Sequence, residues 1–114
     1  KSTDAGLHWT QVATSNMSGI FKHLAISPVN SDNLAAQLHG SNLTGIYFSS
    51  DKGETWTKQS EVEDSGGTIG FSSSDPETLY RGWMIIYKST DSGQSWTQET
   101  MWSENLGLNN SLVN

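Results

Sequence analysis

Ser49-Ser50-Asp51-Lys52-Gly53-Glu54-Thr55-Trp56 decides the reading of this chain, because its pattern, Ser-x-Asp-x-Gly-x-x-Trp, recurs on either side of it. Ser2-Thr3-Asp4-Ala5-Gly6-Leu7-His8-Trp9 precedes it and Ser89-Thr90-Asp91-Ser92-Gly93-Gln94-Ser95-Trp96 follows, so the three Trp residues stand 47 and 40 positions apart. A β-prone run, Gly45-Ile46-Tyr47-Phe48 or Ile85-Ile86-Tyr87-Lys88, enters each of the last two, and Trp-Thr leaves all three. An apolar strand in, an Asp and a Gly two residues apart at the tip, and a Trp-Thr strand out describe a β-hairpin. The carboxylate is expected to accept backbone N–H groups of its own turn, and the Gly to take the positive-φ position. The Ser should add a hydroxyl-to-backbone bond, and the Trp should cover the turn and fill space between sheets.

Working outward, Ala25-Ile26-Ser27-Pro28-Val29-Asn30-Ser31-Asp32-Asn33-Leu34 parallels Gly70-Phe71-Ser72-Ser73-Ser74-Asp75-Pro76-Glu77-Thr78-Leu79 at an offset of 45. These segments predict two further strands per unit, residues 20–27 and 33–39 in one and 68–72 and 78–83 in the other, each pair joined by a turn. With 44–49, 55–59, 84–89 and 95–100 they make four strands, A to D, in a unit of propeller-blade length. The expected fold is therefore all-β, about two and a fraction four-stranded blades. The expected division is a last strand and turn of a preceding blade (1–14), complete blades at 15–60 and 61–100, and a long connection at 101–114. Propellers close with about 4 to 8 blades, so the chain reads as a fragment, its partners being the remaining blades or further copies of itself.

Composition agrees. Ser, Thr, Asn and Gly supply 48 of 114 residues, which suits a turn-rich β chain. A net charge of -6 with a single Arg disfavours nucleic acid, since each phosphate neutralised needs a basic group. The longest apolar run, residues 83–87, is far below the roughly 20 residues of a membrane span. The absence of Cys excludes disulfides and thiolate chemistry.

The three turns, with Ser27-Pro28 and Ser72 to Pro76 followed by Leu34 and Leu79, resemble the Asp-box (BNR) repeat superfamily of propellers. It includes sialidases, sortilin-type Vps10 domains, xyloglucanase-like glycoside hydrolases and photosystem assembly factors. The segments around the boxes look closest to the sortilin and xyloglucanase branch. The resemblance implies that the boxes, Ser2, Asp4, Gly6, Trp9, Ser49, Asp51, Gly53, Trp56, Ser89, Asp91, Gly93 and Trp96, are structural and lie on the face away from the ligand. The expected location is secreted or cell-surface.

The chemistry is sparse. A sialidase site of the family's kind grips a carboxylate with three arginines, and only Arg81 is present. A glycoside hydrolase needs two facing carboxylates, and nothing here shows both. His8, His23 and His39 form no ligand pair, so no metal or cofactor is expected and no residue is assigned a catalytic role. If the boxes close C–D hairpins at one end, the D–A and B–C connections lie at the other. They nominate His39, Asn42, Glu61, Glu63, Asp64, Arg81, Trp83, Trp102 and Glu104 as a ligand face. Trp beside carboxylates and amides suits sugar binding, by ring stacking and hydroxyl contacts. The expected function is a noncatalytic scaffold or recognition module for protein or glycan. The alternative is part of a xyloglucanase-like hydrolase whose acids lie partly on missing blades.

Overall fold

The computed structural model describes residues 1–12, 19–40, 42–62, 67–82 and 85–99. It contains two four-stranded antiparallel sheets and, among these residues, no helix. The first sheet is β1 (Ile20–Ile26), β2 (Leu34–His39), β3 (Gly45–Ser49) and β4 (Thr57–Ser60), the second β5 (Thr68–Phe71), β6 (Leu79–Gly82), β7 (Ile86–Ser89) and β8 (Thr97–Gln98). Both sheets keep their strands in chain order. Such meanders arise where short strands alternate with tight turns, as this sequence dictates.

Alternation along the strands gives each sheet two faces. In the first sheet the pairs Ala25↔Ala35↔Phe48 and Gln37↔Ile46 look one way, and Leu24↔Ala36↔Tyr47 and Leu34 look the other. The second sheet stacks on the former face through β5, which lies against β1 and β2. Ala35, Ile46, Val62, Ile69 and Leu79 form the buried cluster between the sheets, with Ala25, Phe48, Phe71 and Trp96 packed around it. Small Ala side chains on one sheet admit Ile69 and Leu79 from the other, which is how two pleated layers interdigitate. Ala36, Leu38, Tyr47 and Trp56 form a second cluster on the opposite face of the first sheet.

Side chains clamp the stack at its edge. The Gln59 amide donates to the Ser92 carbonyl (3.1 Å), the Trp96 indole N–H to Ser60 Oγ (3.0 Å), and the Asn33 amide to the Pro76 carbonyl (3.3 Å). Each part-buried bond of this kind contributes on the order of 1 kcal/mol and fixes the orientation of one layer on the next.

Two faces stay open. Leu24, Ile26 and Phe21 are exposed on the outer face of the first sheet, and together with Trp9, Leu34 and Trp56 they line a cleft of about 620 Å³. Tyr80 and Ile86 are exposed on the outer face of the second. Apolar sheet faces of this kind belong against neighbouring layers.

Candidate functional site

The three repeated turns share one geometry. In the third, Ser89 Oγ donates to Asp91 Oδ1 (2.7 Å) and accepts from the Gly93 N–H (2.9 Å). Asp91 Oδ1 takes the Ser95 N–H (2.9 Å) and Oδ2 the Ser95 hydroxyl (2.5 Å). The second turn repeats this with Ser49, Asp51, Gly53 and Thr55. In the first, His8 replaces the hydroxyl residue, and its Nδ1 stands 2.5 Å from Asp4 Oδ2. The Trp indole donates to the Gly carbonyl of its own turn in all three, at 3.0 to 3.1 Å.

These bonds favour the ionised carboxylate. The Thr55 hydroxyl and N–H hold Asp51 down to about 2, and those of Ser95 do the same for Asp91. Asp4 is lowered chiefly by the His8 N–H and ring. The acids are therefore anions at neutral pH, engaged by their own turns. The Ser hydroxyl is a hub, giving its proton to the carboxylate while receiving backbone N–H groups, which goes beyond the single hydroxyl-to-backbone bond expected from sequence.

Backbone strain marks the tips. Gly6, Gly53 and Gly93 have φ of 89°, 87° and 90°, as expected. Ala5, Lys52 and Ser92 before them are also left-handed, at 60° to 63°, so each tip carries two successive positive-φ residues, as a type I′ hairpin turn requires. The same two positions meet the A–B turn of their own sheet. The Lys52 N–H donates to the Asp32 carbonyl and the Ser92 N–H to the Glu77 carbonyl, both at 2.9 Å. The A–B and C–D turns thus share one end of each sheet.

The opposite end carries the B–C and D–A connections. His39 closes β2, exposed, and Asn42 is exposed in the tight loop where Thr44 Oγ1 bonds the Gly40 carbonyl (2.7 Å). Glu61 follows β4 and pairs with Lys58 at 2.8 Å. Glu63, Asp64, Trp83, Trp102 and Glu104 lie outside the described residues. No hydrogen bond or ion pair joins His39, Asn42 and Glu61 among the described residues.

Arg81 is placed differently from its expected position on a B–C connection. It lies within β6, opposite Ile69 and Tyr87, on the face that meets the first sheet. Strand alternation causes this, since Leu79, two residues earlier, is fully buried on the same face. The Arg81 guanidinium lies 4.8 Å from the Tyr87 ring centroid and 5.3 Å from that of Trp96. His23 pairs with Gln37 on the same inter-sheet face. Sequence reasoning also missed Val62, which is buried in the inter-sheet cluster although it directly follows an exposed Glu.

No group of three or more His, Cys, Asp or Glu among the described residues could hold a metal ion. No described helix is long and apolar enough to cross a membrane.

No family model and no curated protein matches the chain. Solved structures do. A GH74 enzyme from Niastella koreensis is 26% identical over 72% of this chain and 12% of its own, with a TM-score of 0.59. YCF48 bound to D1 peptide is 15% identical over 83% of this chain and 31% of its own, at 0.60. YCF48 from Cyanidioschyzon merolae is 16% identical over 82% and 27%, at 0.56. The chain thus spans between an eighth and a third of these structures' lengths. All are β-propellers, and the two stacked sheets have the fold of two propeller blades.

Proposed function

We propose that the chain is a noncatalytic scaffold or recognition module of an Asp-box propeller, from an exported or cell-surface protein, binding protein or glycan at the end opposite the boxes. The observation that carries this reading is the disposition of the acids. Asp4, Asp51 and Asp91 are held by their own turns, whereas His39 at the end of β2, Asn42 and the Lys58-paired Glu61 stand exposed at the other end. Groups in fixed internal bonds serve the fold, and exposed loop groups on a rigid scaffold serve recognition. Further blades would cover the open faces, with blade boundaries near 15–60 and 61–100. That a chain of the same fold is described as bound to a peptide supports a protein ligand.

A second reading is favoured by the identity to the GH74 enzyme. Here the chain is part of a glycoside hydrolase, with Glu61, Glu63 or Asp64 beside the cleft and a facing acid on another blade. The two separate on one experiment. Glu61→Gln, Glu63→Gln and Asp64→Asn are introduced together into the protein that carries this chain, and oligosaccharide binding and hydrolysis are both measured. The recognition reading expects weakened binding with no hydrolysis to lose; a wild-type hydrolytic rate that the triple substitution abolishes would defeat it.

A further inference from the structure

The contact between the two sheets is a template for the face that the second sheet leaves open. Toward its neighbour the first sheet presents Ala35, Phe48 and Ile46; at the corresponding positions of its outer face the second presents Tyr80, Lys88 and Ile86. Ile46 is fully buried and fits against Gly93 of the next box, where a Cβ would come within 3.2 Å of Ile46 Cγ2. Ile86 is 55% exposed. It is a knob without its hole, and the hole that fits it is the glycine of a further box turn.

The clamp at the sheet edge changes character in the same step. Three residues after the second box Trp, the Gln59 amide donates to the Ser92 carbonyl at the tip of the next box (3.1 Å). Three residues after the third box Trp stands Glu99, exposed, its backbone N–H bonded to the Ile86 carbonyl (2.8 Å) and its carboxylate in no ion pair among the described residues. A carboxylate has no proton to give and repels a carbonyl oxygen, so it cannot repeat the bond that Gln59 makes. It accepts, and its strongest bonds are to cations. The tip position can carry one, since Lys52 holds it in the second box, left-handed at φ 63°.

A second copy of the chain would offer Gly53 to Ile86 and Lys52 to Glu99, but its own N-terminal segment is in the way. Gly6, Trp9 and Val12 line the cleft on the outer face of the first sheet, and Lys1 ties the segment to Glu54 at 3.4 Å. Val12, three residues after its own Trp, stands where Glu99 of a copy would have to go.

We infer that the outer face of the second sheet is an interface for a further box-bearing sheet, not for a second copy, whose box glycine seats on Ile86 and whose tip residue, directly after the box Asp, is a lysine or arginine paired with Glu99. The inference rests on the reading above that further blades cover the open faces, and adds the register and the charge by which the next blade is matched. It is independent of where a ligand binds.

The test uses the protein that carries this chain. The chain has no Cys, so Ile86→Cys places one thiol on the face, and Thr90→Cys, at an exposed position of the box, is its reference. In the native protein a maleimide should label Thr90→Cys and spare Ile86→Cys, with both labelled in urea. Glu99→Lys sets like charges together and should lower the thermal midpoint by about 2–4 °C at low salt, a drop that shrinks in about 1 M NaCl. Glu99→Gln, which restores the neutral side chain of Gln59, should cost clearly less. Ile86→Cys labelled as fast as Thr90→Cys overturns the inference and the covering blade together. Ile86→Cys protected, with Glu99→Lys no costlier than Glu99→Gln or indifferent to salt, overturns the charged clamp and leaves the covering blade standing. Protection of Ile86→Cys that fades on dilution assigns the face to a second copy and overturns the inference as well.

Discussion

Gly53 and Gly93 occupy the same position in two copies of one turn, with φ of 87° and 90°, so replacing each by Ala incurs the same backbone strain and differs only in packing. A side chain in the left-handed region costs about 1–2 kcal/mol. At Gly53 the new methyl would meet Trp56 Cζ2 at 3.6 Å, ordinary van der Waals contact. At Gly93 it would meet Ile46 Cγ2 at 3.2 Å and Leu79 Cδ1 at 3.5 Å, and both residues are fully buried between the sheets. Ile46 must shift or change rotamer, and overpacking of this kind costs roughly a further 1–2 kcal/mol. Gly53→Ala should therefore destabilise by about 1–2 kcal/mol and Gly93→Ala by about 2–4 kcal/mol. Urea unfolding followed by Trp fluorescence measures both, provided the slope is unchanged. Equal losses, or a larger loss at Gly53, would refute the claim that the third turn is wedged into the sheet interface while the second is not.

Lys52→Gly should be neutral or stabilising by up to about 1 kcal/mol, because relief of left-handed strain outweighs the entropy Gly adds to the unfolded chain; the same unfolding assay reads it. Gly45→Ala should cost about 3 kcal/mol, since the methyl would stand 2.5 Å from the Ser60 carbonyl oxygen, which backbone cannot yield cheaply. Ser89→Ala leaves the buried Gly93 N–H without its acceptor, and a loss of about 1–3 kcal/mol in unfolding free energy, read from the fall in the urea midpoint, is expected. Asp51 and Asp91 titrate near 2 in the folded chain against 3.8 ordinarily. Their stabilisation is thus complete above about pH 4 and disappears as the pH falls from there through 2, so urea midpoints should drop across that window. In Asp91→Asn the drop should be shallower, and an unchanged profile would show that the turn carboxylates are not the groups responsible.

All eight strands were legible because the turn motif anchors them and the intervening apolar runs have period two. Their ends moved by a residue or two; β4 begins after Trp56, whose ring is spent on covering the turn. The left-handed Ala5, Lys52 and Ser92 were not legible, because none of these residue types announces positive φ and the conformation is imposed by the Gly and the carboxylate on either side. Arg81 falls within the strand expected over 78–83, and its assignment to the B–C connection overlooked a signal: it stands two positions from Leu79 and so shares its face. The bonds from Gln59, Asn33 and Trp96 to the neighbouring sheet depend on how one layer sits on the next, which no local pattern encodes. Of the candidate ligand face, the structure shows His39 at the end of β2 and Asn42 and Glu61 on connections, all at the end opposite the turns.

The central claim, that recognition lies at the end opposite the three turns, is tested most directly by mapping backbone amide shifts of the chain during titration with oligosaccharide and peptide panels. The account predicts saturable changes at His39, Asn42 and Glu61 and at their loops, with the amides of Asp4, Asp51 and Asp91 unmoved. Changes centred on those three turns, with the opposite end silent, would contradict it.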